Sequence, residues 1–248
     1  MKNPLIVQAS NIGAREVNED RVGHWATPAA VMMAVADGLG GHMHGEVAAQ
    51  IAIDILGAAF AGEARDKLAD PPGFFTRALG AAHAAILREA GRRDLAESPR
   101  TVIAACVVQD GQVFAAHVGD CRFYLVRKGR IVVRSRDHTV VQRLVDEGRI
   151  REEAAATHPH RNRLLRCLGG YNSPFVETAA GVRLADEDIL LLCSDGFWGP
   201  LTQRQLMHAL LSRPLGDAVS ELASLAEDCA GEASDNVSVV AMTWHQAE

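Results

Sequence analysis

The feature that most constrains this 248-residue chain is a repeated ending, in which apolar runs stop on an aspartate. Residues 31–45 read VMMAVADGLGGHMHG, a buried-strand pattern that closes on Asp37-Gly38. VFAAHVG closes on Asp120, DILLLCS closes on Asp195-Gly196, and Asp235-Asn236 opens the run VSVVAMTW. In antiparallel pairing the start of one strand lies beside the ends of its neighbours, so the pattern predicts four carboxylates gathered at one edge of a sheet. Each like-charged pair at about 4 Å, with an effective dielectric of about 20, costs on the order of 4 kcal/mol. Protons or cations must therefore share the site. Acidic oxygens and a glycine carbonyl suit Mg²⁺ or Mn²⁺ better than zinc.

Asp-Gly is also the commonest hairpin turn. Asp110-Gly111, flanked by two apolar runs, reads as that turn. Asp37-Gly38 differs because Leu39-Gly40-Gly41 leads to Glu46 and a helical pattern, not to a second strand. The charged stretch from Arg15 to Arg21 follows a first strand, LIVQASNIG, and precedes a short one near VGHW. Taken alone it reads as a solvated hairpin tip. Pairing of the VGHW strand with the Asp37 strand would instead bring Glu19 and Asp20 close to Asp37.

Further along, residues 46–60 place Val47, Ala48, Ile51, Ala52, Ile55, Leu56 and Ala59 on one helical face, with Gln50 and Asp54 off it. A second helix follows Pro71-Pro72 and turns Phe74, Phe75, Ala78, Leu79, Ala82, Ala85 and Ile86 inward. Strands near 101–109, 112–118, 122–127 and 130–134 read as an antiparallel meander with a turn at Lys128-Gly129. Residues 149–163 show no strand period and read as a mobile segment, whose Arg161 and Arg163, with Arg166 just beyond, form a solvated basic face. Strands resume near 175–183 and 188–193. Thr202 with Gln205 forms a capping box for a helix through Leu211. A last helix, 214–230, turns Val219, Leu222, Ala223, Ala226 and Cys229 inward and is closed by Gly231. This order predicts sheets covered by helices within one domain, not alternating βαβ units.

Composition narrows the function. Twenty-five basic and 31 acidic residues give a net charge of −6, which speaks against nucleic-acid or anionic-membrane partners. The five cysteines, at 106, 121, 167, 193 and 229, form no zinc or redox motif, and a reducing cytoplasm is expected. No apolar run reaches about 18 residues, so neither a membrane span nor a signal peptide is expected.

Arg15 with Asn18-Glu19-Asp20, AVADGLGGH at 34–42, HVGDCR at 117–122, LCSDGFW at 192–198 and Asp235-Asn236 resemble, in order, the motifs of the type 2C metal-dependent (PPM) serine/threonine protein phosphatases, compact bacterial form. The resemblance implies an α+β fold, a four-layer α-β-β-α sandwich of two antiparallel sheets flanked by helices. It implies hydrolysis of phosphoserine and phosphothreonine on protein substrates by a water bridging two divalent ions, Mn²⁺ or Mg²⁺, with a weaker third ion. Asp37 resembles the bridging ligand, Gly38 the carbonyl ligand of the second ion, and Asp195 and Asp235 the remaining ligands of the first. Asp20 and Glu19 match positions that hold the second ion's waters, Asp120 a ligand of the third ion, and Arg15 the arginine that grips the substrate phosphate. Asn236 stands beside Asp235 in the surrounding shell.

By the same resemblance the partners are phosphoproteins and a cognate kinase pathway, acting on a cytoplasmic monomer with a flap at 149–170. One branch of the compact bacterial members serves type VI secretion. The chain departs from the family pattern at Pro99-Arg100-Thr101, where Gly-Thr-Thr is usual, at Leu39, where some members carry a histidine, and at Cys121, where serine is usual. His42 and His44 are expected to pack the loop. Two other readings compete. A nucleotide-binding module fails on Met43, which occupies the third glycine position of the dinucleotide fingerprint. A weakly active or inactive phosphatase-like regulatory protein is opposed by the complete set of carboxylates.

Overall fold

The computed structural model describes residues 4–39, 44–155 and 157–246. In chain order the elements are β1 (Ile6–Asn11), β2 (Arg21–Ala26), β3 (Ala30–Gly38), α1 (Gly45–Glu63), α2 (Pro71–Arg92), β4 (Thr101–Gln109), β5 (Gln112–Val118), β6 (Arg122–Arg127) and β7 (Arg130–Arg134). There follow α3 (Val140–Asp146), α4 (Glu152–Ala155), β8 (Glu177–Thr178), β9 (Val182–Arg183), β10 (Ile189–Cys193), α5 (Asp195–Trp198), α6 (Gln203–Ser212), α7 (Leu215–Ala230) and β11 (Val237–Thr243). One sheet runs β1-β11-β10-β6-β7, and the other runs β2-β3-β4-β5-β8 with β9 also on β5. All the pairings are antiparallel.

Alternation along the strands explains the layers. In β3, Ala30, Met32, Ala34 and Ala36 join a core with α1 and α2, while Val31, Met33 and Val35 join a core between the sheets. Tyr124, Leu191, Cys193, Val239 and Ala241 of the other sheet pack on α6 and α7, while Phe123, Leu125, Leu190, Leu192 and Val240 face the intersheet core. The expected α-β-β-α sandwich is therefore present. Both faces of each central strand are covered, which is why these strands are apolar throughout.

Local chemistry sets the helix ends. Asp70 caps α2 by accepting the Gly73 N–H at 3.1 Å, with prolines in the first turn. The Thr202–Gln205 capping box of α6 is complete. Asp110-Gly111 and Lys128-Gly129 are tight hairpin turns with positive φ at both central residues. Among the described residues α1 is the helix long and apolar enough to cross a membrane. Here it packs as a core helix, burying Ala48, Ala49, Ala52, Ile53, Leu56 and Phe60. That stripe is rotated slightly from the expected one because α1 contacts α2 as well as the sheet.

Four expectations need correction. Arg15 to Arg21 is not a hairpin tip: β1 pairs with β11 and β2 with β3, so this stretch crosses between sheets. The meander is broken at Asp120, since β4-β5 and β6-β7 are hairpins in different sheets. Cys229 is exposed, because the α7 stripe ends at Ala226 before the chain turns at Gly231. Part of the unpatterned 149–163 segment is helical, as α4. His42 lies outside the described residues, and His44 opens α1 in the left-handed conformation, φ 70°.

Candidate active site

Strand register builds the site. Asp37 continues the Val31, Met33, Val35 row and emerges where the intersheet core ends. One step past the Arg21↔Ala36 pair, Asp20 comes opposite Asp37. Asp195 follows β10, Asp235 precedes β11, and Asp120 sits on the link that crosses from β5 to β6. The carboxylates thus converge at the shared end of two facing sheets, not along one sheet edge. A link between the sheets is as effective as a strand end in delivering a side chain there.

Burial and mutual repulsion dominate the electrostatics. Burial first, then the neighbouring aspartates, push Asp37 and Asp120 well above the usual carboxylate range. Asp195 is raised by burial and then by Asp235, and its carboxylate accepts a hydrogen bond from Asp37. Asp20, 2% exposed, is pushed up to about 8 by burial, against the opposing hydrogen bonds from Ser194 and Ser238. Ser194 Oγ donates to Asp20 Oδ2 at 2.8 Å, while Asp20 Oδ1 is buried with no hydrogen-bond partner among the described residues. Left without cations, such a cluster must retain protons near neutral pH. Hard oxygen donors in excess, with one orphaned oxygen buried among them, fit a divalent-ion site.

The surrounding residues hold this cluster. Asn236 Nδ2 donates to the carbonyls of Ile12 and Val17 at 2.8 and 3.0 Å, and its Oδ1 accepts the Glu19 N–H at 2.8 Å. It thereby ties the β1-β2 crossing to the start of β11. The Glu19 carboxylate accepts the Gly45 N–H at the start of α1, and burial raises it. Gly38 is required sterically: a Cβ there would lie 2.4 Å from the Gly45 backbone. Thr101 Oγ1 donates to the Asp37 carbonyl at 2.7 Å. Arg15 pairs with Asp235 at 2.7 Å at the rim. Arg122 is clamped by both oxygens of Asp137, at 2.9 and 2.7 Å, and stacks on Trp198, so Asp120 is not its partner.

The aspartates open into a cleft of about 710 Å³ whose floor includes Asp37, Asp120, Asp195 and Asp235 and whose wall carries Arg15, Arg100, Arg163 and Arg166. Arg161 is not among the lining residues, which divides the predicted basic face. Nearby, His117, His138 and Glu177 offer donor atoms within 4.8 Å of one another. Their hydrogen bonds already occupy them. His138 Nδ1 accepts the Gly119 N–H at 3.1 Å, which leaves its Nε2–H facing Glu177 Oε2 at 3.2 Å, and His117 Nε2 lies 2.7 Å from the Arg136 carbonyl. Burial and the stacked His117 ring lower His138 to about 4, so its imidazole is neutral. Sequence reasoning missed this trio, Ser194 and Ser238, and the place of Arg100 in the cleft. The serines were legible in principle, as polar interruptions of apolar strand ends.

Comparison with known proteins decides the family. A family model for protein phosphatase 2C matches residues 7–227. The chain belongs to this family. It is 35% identical over 227 residues to the serine/threonine protein phosphatase PstP of Mycobacterium tuberculosis, covering 91% of this chain and 42% of PstP. The chain therefore spans about two-fifths of the length of that relative. The solved catalytic domain of PstP in complex with two manganese ions is 31% identical, with a TM-score of 0.80 and coverage of 98% of this chain and 99% of that one. PppA, a regulatory component of the type VI secretion system in Pseudomonas aeruginosa, is 25% identical, with a TM-score of 0.79 and coverage of 97% and 98%. The sequence resemblance is thus borne out at the level of family and fold. Asp235 and Asn236 lie just beyond the matched span of the phosphatase 2C model but share the site with the motifs inside it.

Proposed function

We propose that this protein is a metal-dependent phosphatase that hydrolyses phosphoserine and phosphothreonine on protein substrates, opposing a serine/threonine kinase in the bacterial cytoplasm. The observation that carries this reading is the buried aspartate cluster opening into an arginine-walled cleft. Residues 1–248 act as one catalytic domain and a monomer, with 149–170 as a flap over the cleft. The likeness to PppA supports a place in the control of type VI secretion. The reading as an inactive regulatory protein is weaker, because every carboxylate of the expected set is present.

Asp37, Asp195 and Asp235 would hold one Mn²⁺ or Mg²⁺ ion, and Asp37 with the Gly38 carbonyl would hold a second, near Asp20 and Glu19. Asp120 would hold a weaker third. When bound, such ions supply charge neutralisation and an activated water as nucleophile. The buried and half-buried cysteines are poorly suited as nucleophiles. Burial raises the thiols of Cys106, Cys121, Cys167 and Cys193 and so disfavours the thiolate. Arg15 exchanges Asp235 for the substrate phosphate, to which its planar fork presents paired donors. Asn236, Ser194 and Thr101 hold the carboxylate-bearing backbone in place.

Phosphate release from a phosphothreonine peptide tests the reading. Chelated protein should be silent and Mn²⁺ should restore turnover; full turnover after exhaustive chelation, or a trapped phosphoenzyme, would refute it. Arg15→Ala should lower kcat/KM by roughly 10–150-fold, the equivalent of a charged hydrogen bond, while calorimetric Mn²⁺ binding persists. Metal loss as severe as that from an Asp37 substitution would contradict the assignment. Asp120→Ala should spare the fold, since Arg122 keeps Asp137. It should slow phosphopeptide hydrolysis more than hydrolysis of an activated aryl phosphate, whose leaving group hardly needs a proton. Equal losses on the two substrates would return Asp120 to a structural role.

A further inference from the structure

The cleft holds more positive charge than one phosphate group requires. Arg100 reaches the wall from the irregular segment just before β4, its guanidinium 5.5 Å from the Tyr171 ring centroid. Arg166 lies 3.9 Å from the Phe175 ring centroid on the same wall. Tyr171 and Phe175 are themselves 88% and 54% exposed. Stacking on an aromatic face fixes the guanidinium plane while leaving its edge donors available for a planar or tetrahedral anion. Arg100 Nε is also buried and has no hydrogen-bond partner among the described residues. Among the described residues no ion pair joins Arg100, Arg163 or Arg166 to a carboxylate, whereas Arg77, Arg122, Arg127 and Arg134 are all so paired.

We propose that Arg100 and Arg166, held over Tyr171 and Phe175, form a second anion subsite that takes a carboxylate or a second phosphate on the substrate peptide close to the phosphoresidue. The inference rests on the phosphatase reading above and assigns its substrate preference. Both arginines line the cleft that holds Arg15 and Asp37, so one short peptide places its phosphate at the aspartates and its neighbouring anion at this wall. The subsite contributes binding that is the same in ground and transition states, and its effect falls on KM.

Three phosphothreonine peptides test the proposal, with alanine, glutamate or phosphoserine flanking the phosphothreonine, assayed with the Mn²⁺-loaded enzyme. Wild type should show kcat/KM about 10-fold or more higher for the anionic flanks than for alanine, mainly through KM. Comparison of glutamate with phosphoserine then distinguishes an acidic residue from a second phosphate. Arg100→Gln should reduce the ratio to about 1–3-fold and Arg100→Lys should restore part of it. Arg166→Gln gives an independent reading if Arg100→Gln does not fold. Turnover of all three peptides at equal kcat/KM by wild type, or an undiminished preference in both glutamine variants, overturns the subsite and leaves the phosphatase reading intact. If wild type hydrolyses neither the peptides nor an aryl phosphate, the phosphatase reading fails. Fluorescence-anisotropy binding of the same peptides then decides the subsite by the same ratio.

Discussion

Asp37→Asn should abolish nearly all activity and yet stabilise the metal-free protein. Asp37 faces Asp20, Asp120, Asp195 and Asp235, and burial among them lets it sit beside Asp195 at neutral pH only by holding a proton. An amide needs no proton to stay neutral, so it removes the cost of holding that carboxyl protonated at pH 8, on the order of a few kcal/mol. The same change removes the one carboxylate proposed to serve both tight ions, so kcat/KM should fall by about 1,000-fold or more, some 4 kcal/mol of transition-state stabilisation. Thermal unfolding in chelator at pH 8, beside phosphate release with Mn²⁺, reads both effects. A variant less stable than wild type in chelator would show that Asp37 is structural, not a strained ligand.

Metal removal should make stability fall as pH rises. The folded-state values of Asp20, Asp37, Asp120 and Asp195 lie above those of the unfolded chain. The protonated cluster therefore contributes stability below the unfolded value, near 3.8, that is lost as pH climbs through the folded value, about 8 for Asp20. The Tm of chelated protein should decline between pH 5 and pH 8. Mn²⁺ at about 100 times its Kd should add about 2.7 kcal/mol, or roughly 5–10 °C for a domain of this size. At one fixed Mn²⁺ concentration the gain should be larger at pH 8 than at pH 5, because protons compete with metal for the carboxylates and raise the Kd at low pH. A Tm in chelator that is flat or rising over this range, with an equal Mn²⁺ shift at both ends, would contradict the account.

The strands were legible because apolar runs with sharp polar ends survive any packing. Their distribution between two sheets was not. Each central strand is covered on both faces, so Val31 and Met32 look alike in sequence although one faces the other sheet and the other faces α1 and α2. Pairing of β1 with β11 joins the two ends of the chain, and no local signal encodes it. The aspartates announced themselves by position, whereas Arg100 stood out only as a departure from a family pattern. Its place in the cleft depends on the Thr101–Leu168 bridge, which brings the segment carrying Arg166 and Tyr171 over the site. His117 and His138 come from β5 and a distant loop, so no spacing motif betrays their contact.

Anomalous scattering from a Mn²⁺-soaked crystal would locate the ions held by the aspartate cluster. Two strong peaks are expected, roughly 3.5–4 Å apart. Asp37 should lie between them, with Asp195 and Asp235 around one and the Gly38 carbonyl at the other. A single peak at His117, His138 and Glu177, or no peak within reach of Asp37 at saturating Mn²⁺, would contradict this arrangement.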